Sequence, residues 1–178
     1  LRLVFSLTFL FTLISFCIYP PDLLTQQQLK EALYYQKLDN KVVQCHLCPR
    51  RCIIPLGKRG FCGVRENRDG TLYTLVYARP CAIHIDPIEK KPLFHFLPST
   101  TAFSIATAGC NLKCKFCQNW QISQAKPEEV DYIYLEPSDL VKKAKDSVSP
   151  TIAYTYTEPT IFYEYMFDIA KIAKKEGI

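Results

Sequence analysis

Gly109-Cys110-Asn111-Leu112-Lys113-Cys114-Lys115-Phe116-Cys117-Gln118-Asn119-Trp120 is the stretch on which the fold turns. Its three cysteines are spaced Cys-x3-Cys-x2-Cys, with an aromatic residue before the last. Three thiolates hold three irons of a cubane iron–sulfur cluster and leave the fourth iron open. Electron-transfer clusters and structural zinc sites ordinarily take four ligands, so a lone triad at this spacing is unusual for either. The competing reading is loop cysteines packed as small apolar side chains. Just upstream, Ala102-Phe103-Ser104-Ile105-Ala106-Thr107 reads as a short buried strand that delivers the loop from its carboxyl end.

Downstream the pattern alternates. Ser138 through Lys145 reads as a capped helix with Leu140, Val141, Ala144 and Val148 on one face. Thr151 to Thr157 reads as a strand running into Glu158-Pro159. Thr160 then caps a helix in which Ile161, Tyr165 and Ile169 recur every four residues, with lysines near its end and Gly177 as its stop. Strand, helix, strand, helix predicts parallel β/α units and an α/β fold. Chemistry in such barrels gathers at the carboxyl ends of the strands. The cysteine loop and Tyr156-Thr157-Glu158-Pro159 are therefore expected to face one another.

Upstream lies a second cysteine group, Cys45, Cys48, Cys52 and Cys62, in a loop punctuated by Gly57, Gly60 and Gly63. Four thiolates on such tightly turned backbone suit zinc or a second iron–sulfur cluster, and spacing alone does not separate the two. Thr25 through Lys37 reads as a helix with Leu29, Ala32 and Leu33 as its apolar stripe. Thr71 to Tyr77 reads as a strand entered through an Asp69-Gly70 turn. Asp86-Pro87-Ile88-Glu89-Lys90-Lys91-Pro92 reads as a loop between prolines, its lysines either solvated or reaching an anionic group of cofactor or substrate. Residues 1–19 carry one charge, Arg2, and read as a signal anchor or as translated upstream sequence.

The expected organisation is a hydrophobic segment over residues 1–24, a helix, cysteine-rich metal-binding region and hairpin over 25–98, and two β/α units over 99–178. Hydrophobic residues make up 48% and charged residues 22% of the 178, which excludes general disorder. The net charge of +5 is interleaved with acidic residues and does not indicate nucleic acid. Nine cysteines, mostly in two groups at metal-ligand spacing, argue for a reducing, cytoplasmic compartment, with membrane attachment only if the first 19 residues are an anchor.

The triad, the Cys45–Cys62 group, the Asp86–Pro92 segment and Thr155-Tyr156-Thr157-Glu158-Pro159 together resemble the radical S-adenosylmethionine (SAM) proteins of the AmmeMemoRadiSam system. These are similar to the pyruvate formate-lyase activating enzymes. The resemblance implies the N-terminal part of a partial radical SAM β/α barrel, with a [4Fe-4S] cluster on Cys110, Cys114 and Cys117 and SAM on the open iron. One-electron reduction would cleave SAM to a 5′-deoxyadenosyl radical that abstracts hydrogen from substrate, with flavodoxin or ferredoxin as electron donor. The substrate, protein or small molecule, is not implied. Phe116 would lie near the adenine. The activating enzymes carry Gly-Gly-Glu-Pro where this chain has Tyr156-Thr157-Glu158-Pro159, so Glu158 is carried over as partner of the SAM amino group, with Thr157 beside it. Glu158 as a helix N-terminal charge is the plainer alternative. Such barrels run to six β/α units and two are present, so the 178 residues alone are expected to be inactive. The contrasting reading is a zinc- or iron–sulfur-binding interaction module without catalysis.

Overall fold

The structure, a computed structural model, describes residues 29–178. The apolar segment over residues 1–19 and the start of the helix expected from Thr25 lie outside the described residues. No helix among the described residues is long and apolar enough to cross a membrane.

Two small antiparallel sheets come first. Strand β1 (Lys30–Glu31) pairs with β6 (Thr71–Thr74), which pairs with β5 (Arg65–Arg68). Strand β3 (Val43–Cys45) lies between β2 (Tyr35–Lys37) and β4 (Ile53–Ile54). The expected hairpin is present: Arg68 stands opposite Thr71, and Asp69 and Gly70 both take positive φ (52° and 80°), as a two-residue hairpin turn requires. The helix expected over Thr25–Lys37 is not; its described part forms β1 and β2. Long-range bonds override helical propensity here. Ala32 N donates to Leu72 O (2.8 Å), Leu33 N donates to Glu164 Oε1 (2.7 Å), and Tyr34 turns the chain at φ 56°.

The third sheet has the order β7-β8-β9, with β7 (Ala82–Pro87), β8 (Thr101–Ala106) and β9 (Thr151–Tyr154). β8 and β9 are parallel, as the alternation predicts, and are joined through helix α2 (Pro137–Asp146); a one-turn helix, α1 (Trp120–Ser123), precedes it. β7 pairs antiparallel with β8, from Ala82 opposite Ala106 to Pro87 opposite Thr101. The Asp86–Pro92 segment is thus not wholly a loop, because Pro87 occupies the last position of an edge strand, where its missing N–H costs no ladder bond. The sheet is open and mixed, with no closed barrel among the described residues.

One face of this sheet is apolar. Phe103 and Ile105 of β8 pack with Leu140, Val141 and Ala144 of α2 and with Tyr165, Ile169 and Ala173 of helix α3 (Tyr163–Lys175). Val148 departs from the expected α2 stripe and is 84% exposed, because the helix ends at Asp146 and Val148 sits beyond it at φ 55°. A second core, built on Val43, Ile54 and Leu72, underlies the small sheets. A third, formed by Val64, Val76, Ala108, Ile161 and Phe162, joins them to the β7-β8-β9 unit. Between the units runs a buried ion pair: Arg65 donates from both terminal nitrogens to Glu164 (3.1 and 2.8 Å), with the two residues 2% and 1% exposed.

Candidate active site at the cysteine loop

The cysteine loop leaves the carboxyl end of β8 through Thr107, Ala108 and Gly109. Gly109 has φ +85°, and a Cβ there would stand 2.5 Å from Val64 Cγ1 and 2.6 Å from Cys62 O. Both the conformation and the space demand glycine at this point. Gly109 N donates to Ile122 O (2.9 Å), so the loop returns on itself through α1.

Within it Cys117 N donates to Cys114 O (3.2 Å), Leu112 N donates to Cys110 Sγ (3.4 Å), and Cys117 Sγ lies 3.2 Å from the buried Ser123 hydroxyl. All three cysteines are free; Cys114 is exposed, and Cys110 and Cys117 are half-buried. Phe116 is 91% exposed. Among the described residues no three His, Cys, Asp or Glu side chains converge as ligands of a single ion. A cubane asks for something else, since each sulfur then binds a different iron and the sulfurs surround a volume rather than a point. Three free thiols on one partly open loop, fixed at its root by Gly109, are a donor set that fits such a cluster.

Across from the loop, the residues after β9 close the other wall. Asn119 Nδ2 donates to Tyr156 O (3.0 Å), and Thr157 Oγ1 donates to Thr107 O (3.1 Å), tying both strand-end loops together as expected for parallel strands. Glu158 Oε1 accepts from Thr160 N (3.2 Å) and from Thr160 Oγ1 (2.6 Å), which is the helix-start role. A cavity of about 590 Å³ opens between these loops, lined by Lys90, Lys91, Asn119, Tyr156 and Thr157 among others.

The cavity contains a network that sequence reasoning did not find. Asp86 accepts from Lys90 Nζ (2.8 Å), from Lys91 Nζ (2.6 Å) and from the Tyr156 hydroxyl. Burial works against the Asp86 charge, but these bonds outweigh it and hold the carboxyl well below the usual carboxylate range. Burial, and then the bond to Asp86, pushes the Tyr156 phenol up to about 12. The lysines thus have an internal partner in their own segment. Lys90, with a side chain 62% exposed, still borders the cavity. His84 stands edge-on to the Tyr156 ring at 5.5 Å. The alternation of β7 was the available signal, since His84 and Asp86 fall on the face opposite Ile83 and Ile85.

The second cysteine group backs onto the first. Cys45, Cys48, Cys52 and Cys62, all free, line one cavity of about 20 Å³. Burial pushes the Cys45 and Cys62 thiols up, Cys62 to about 11. Arg50, from the turn between Cys48 and Cys52, donates from Nε to Asn111 O (2.6 Å) and lies 3.4 Å from the Phe61 ring centroid. His46 is not among the lining residues; its Nδ1 takes a bond from Arg51 (2.6 Å).

Residues 104–178, from within β8 onward, match the family model described as the radical SAM superfamily. The uncharacterized protein MJ0808 of Methanocaldococcus jannaschii is 51% identical over 150 residues, covering 84% of this chain and 45% of that protein. The uncharacterized protein MJ0674 of the same organism is 32% identical over 122 residues, covering 65% of this chain and 31% of that protein. The chain thus spans less than half the length of these curated relatives. No solved structure matches it.

Proposed function

We propose that this chain, whose residues 104–178 match the radical SAM family model, is the cluster-bearing part of an enzyme that reductively cleaves SAM and uses the resulting 5′-deoxyadenosyl radical to abstract hydrogen. Cys110, Cys114 and Cys117 hold a [4Fe-4S] cluster. When bound, that cluster supplies the electron that breaks the sulfonium C–S bond of SAM. The observation that carries the reading is the free triad on the β8 loop, followed directly by Gln118 and Asn119, which line the cavity at the strand ends, with Asn119 bonded to Tyr156 O.

The chain's own groups have separate tasks. Gly109 fixes the root of the loop. Exposed Phe116 would cover the adenine, Glu158 would accept the SAM ammonium, and Thr157 holds the Glu158 loop against Thr107. The Asp86–Lys90–Lys91–Tyr156 network holds Lys91 and Tyr156 at the cavity wall through the buried Asp86 carboxylate. Kinship with the AmmeMemoRadiSam proteins and with glycyl-radical activating enzymes, and flavodoxin or ferredoxin as electron donor, belong to the same proposal. Support for them is the set of separated motifs, in which Glu158 remains where the activating enzymes have Gly-Gly-Glu-Pro.

The test is anaerobic reconstitution with iron and sulfide, followed by SAM and dithionite. The protein extended to the length of its relatives should release 5′-deoxyadenosine and show a reduced-cluster paramagnetic resonance signal that SAM perturbs. Cys114→Ala should lose both. A reconstituted protein with no reducible cluster would leave the non-catalytic binding module as the better reading.

A further inference from the structure

We infer that Cys45, Cys48, Cys52 and Cys62 form a closed structural site for one zinc-class divalent ion, separate from the triad. Four free cysteines from distant points of the knuckle reach a single cavity. The backbone brings them there by two turns: Arg51 N donates to Cys48 O (3.2 Å), and Gly63 N donates to Gly60 O (2.9 Å). Cys45 N donates to Cys52 O (2.9 Å), fixing the first and third cysteines across β3 and β4. All-sulfur donors select zinc and other thiophilic ions over magnesium or calcium.

Two buried polar groups on the cavity wall point to a bound ion. Arg65 is 2% exposed and its Nε has no hydrogen-bond partner, although its terminal nitrogens serve Glu164 and Leu33 O. Asn111 is 8% exposed and its Oδ1 is likewise unpaired. Buried donors seldom go unsatisfied, and a thiolate is the acceptor that the Arg65 Nε–H lacks. The cavity the four cysteines line is about 20 Å³, room for a single ion. The sulfurs do not yet converge on one point. Each cysteine has a single side-chain torsion through which its sulfur can turn toward a common ion.

The inference does not depend on the SAM reading and is tested with the triad removed. The full chain carrying Cys110→Ala, Cys114→Ala and Cys117→Ala, purified anaerobically, should contain one zinc per chain, and metal-free protein should take up one cobalt(II) with the absorption of tetrahedral sulfur coordination. Adding Cys48→Ser or Cys62→Ser should abolish stoichiometric zinc. Because these variants could unfold, the cobalt(II) spectrum of the triad-free parent is the second measurement. An iron–sulfur chromophore in the triad-free protein, cobalt(II) with oxygen or nitrogen coordination, or no bound metal would each overturn the assignment.

Discussion

Single residues carry much of the site. Gly109 is held at φ +85° with Cys62 O and Val64 in the place a side chain would occupy, so Gly109→Ala must move backbone as well as bend it. A loss of stability of at least about 1–3 kcal/mol is expected from the strained conformation alone. Thermal unfolding, with iron per chain after reconstitution, checks this; both should fall. Asp86 has the opposite logic, being stabilised as an anion. Its folded-state pKa is depressed, so its contribution is present above the unfolded value of about 3.9 and is lost as pH falls toward the folded one. Asp86→Asn should cost about 1–3 kcal/mol at pH 7, Lys90 adding little because its amine is exposed. The gap between wild-type and variant urea midpoints should narrow steadily as pH drops below about 4. A gap that stays constant from pH 7 to 3 would show that the charge is not what stabilises the network.

At the scale of elements, the two long helices end in the same way with different residues. In α3 the chain turns at Gly177 (φ 79°), and Ile178 N bonds back to Ala173 O (2.9 Å). In α2 the corresponding bonds run from Val148 N to Lys145 O (2.9 Å) and from Ser149 N to Ala144 O (3.1 Å), with Val148 at φ 55°. A β-branched residue is poorly suited to that conformation. Val148→Gly should therefore stabilise the protein, by about 1 kcal/mol from the relieved left-handed strain, read as a higher urea midpoint with an unchanged slope. Helices α2 and α3, β8, β9 and the Asp69-Gly70 hairpin were legible because each has a local signature: periodicity, a turn pair or a stop glycine. The two-strand structure over residues 30–37 was not, because its backbone bonds go to Leu72 and Glu164, far along the chain. β7 was hidden by Pro87, whose tolerance at a strand end depends on which edge it occupies. The triad could be read from spacing alone, while the Asp86–Tyr156 contact spans 70 positions and has no local trace.

Across the whole molecule, the knuckle and the β/α unit are joined by shared core as well as by the Arg65–Glu164 pair. Phe162, fully buried, shares one core cluster with Val64 and Val76 of the knuckle part and Ala108 after β8. Phe162→Ala should cost about 3–5 kcal/mol through the cavity it leaves. Hydrogen exchange should show lost protection in β5 and β6 as well as in β8; loss confined to β8 would mean that the two parts unfold separately. The β7-β8-β9 sheet also has a consequence for handling. Among the described residues β9 is its last strand, and Thr151-Ile152-Ala153-Tyr154 contains neither proline nor charge to blunt the edge. Its outer backbone groups offer a ready template to any extended segment, so at high concentration this chain should associate with itself along β9, and a lysine substituted into that edge would keep it dispersed.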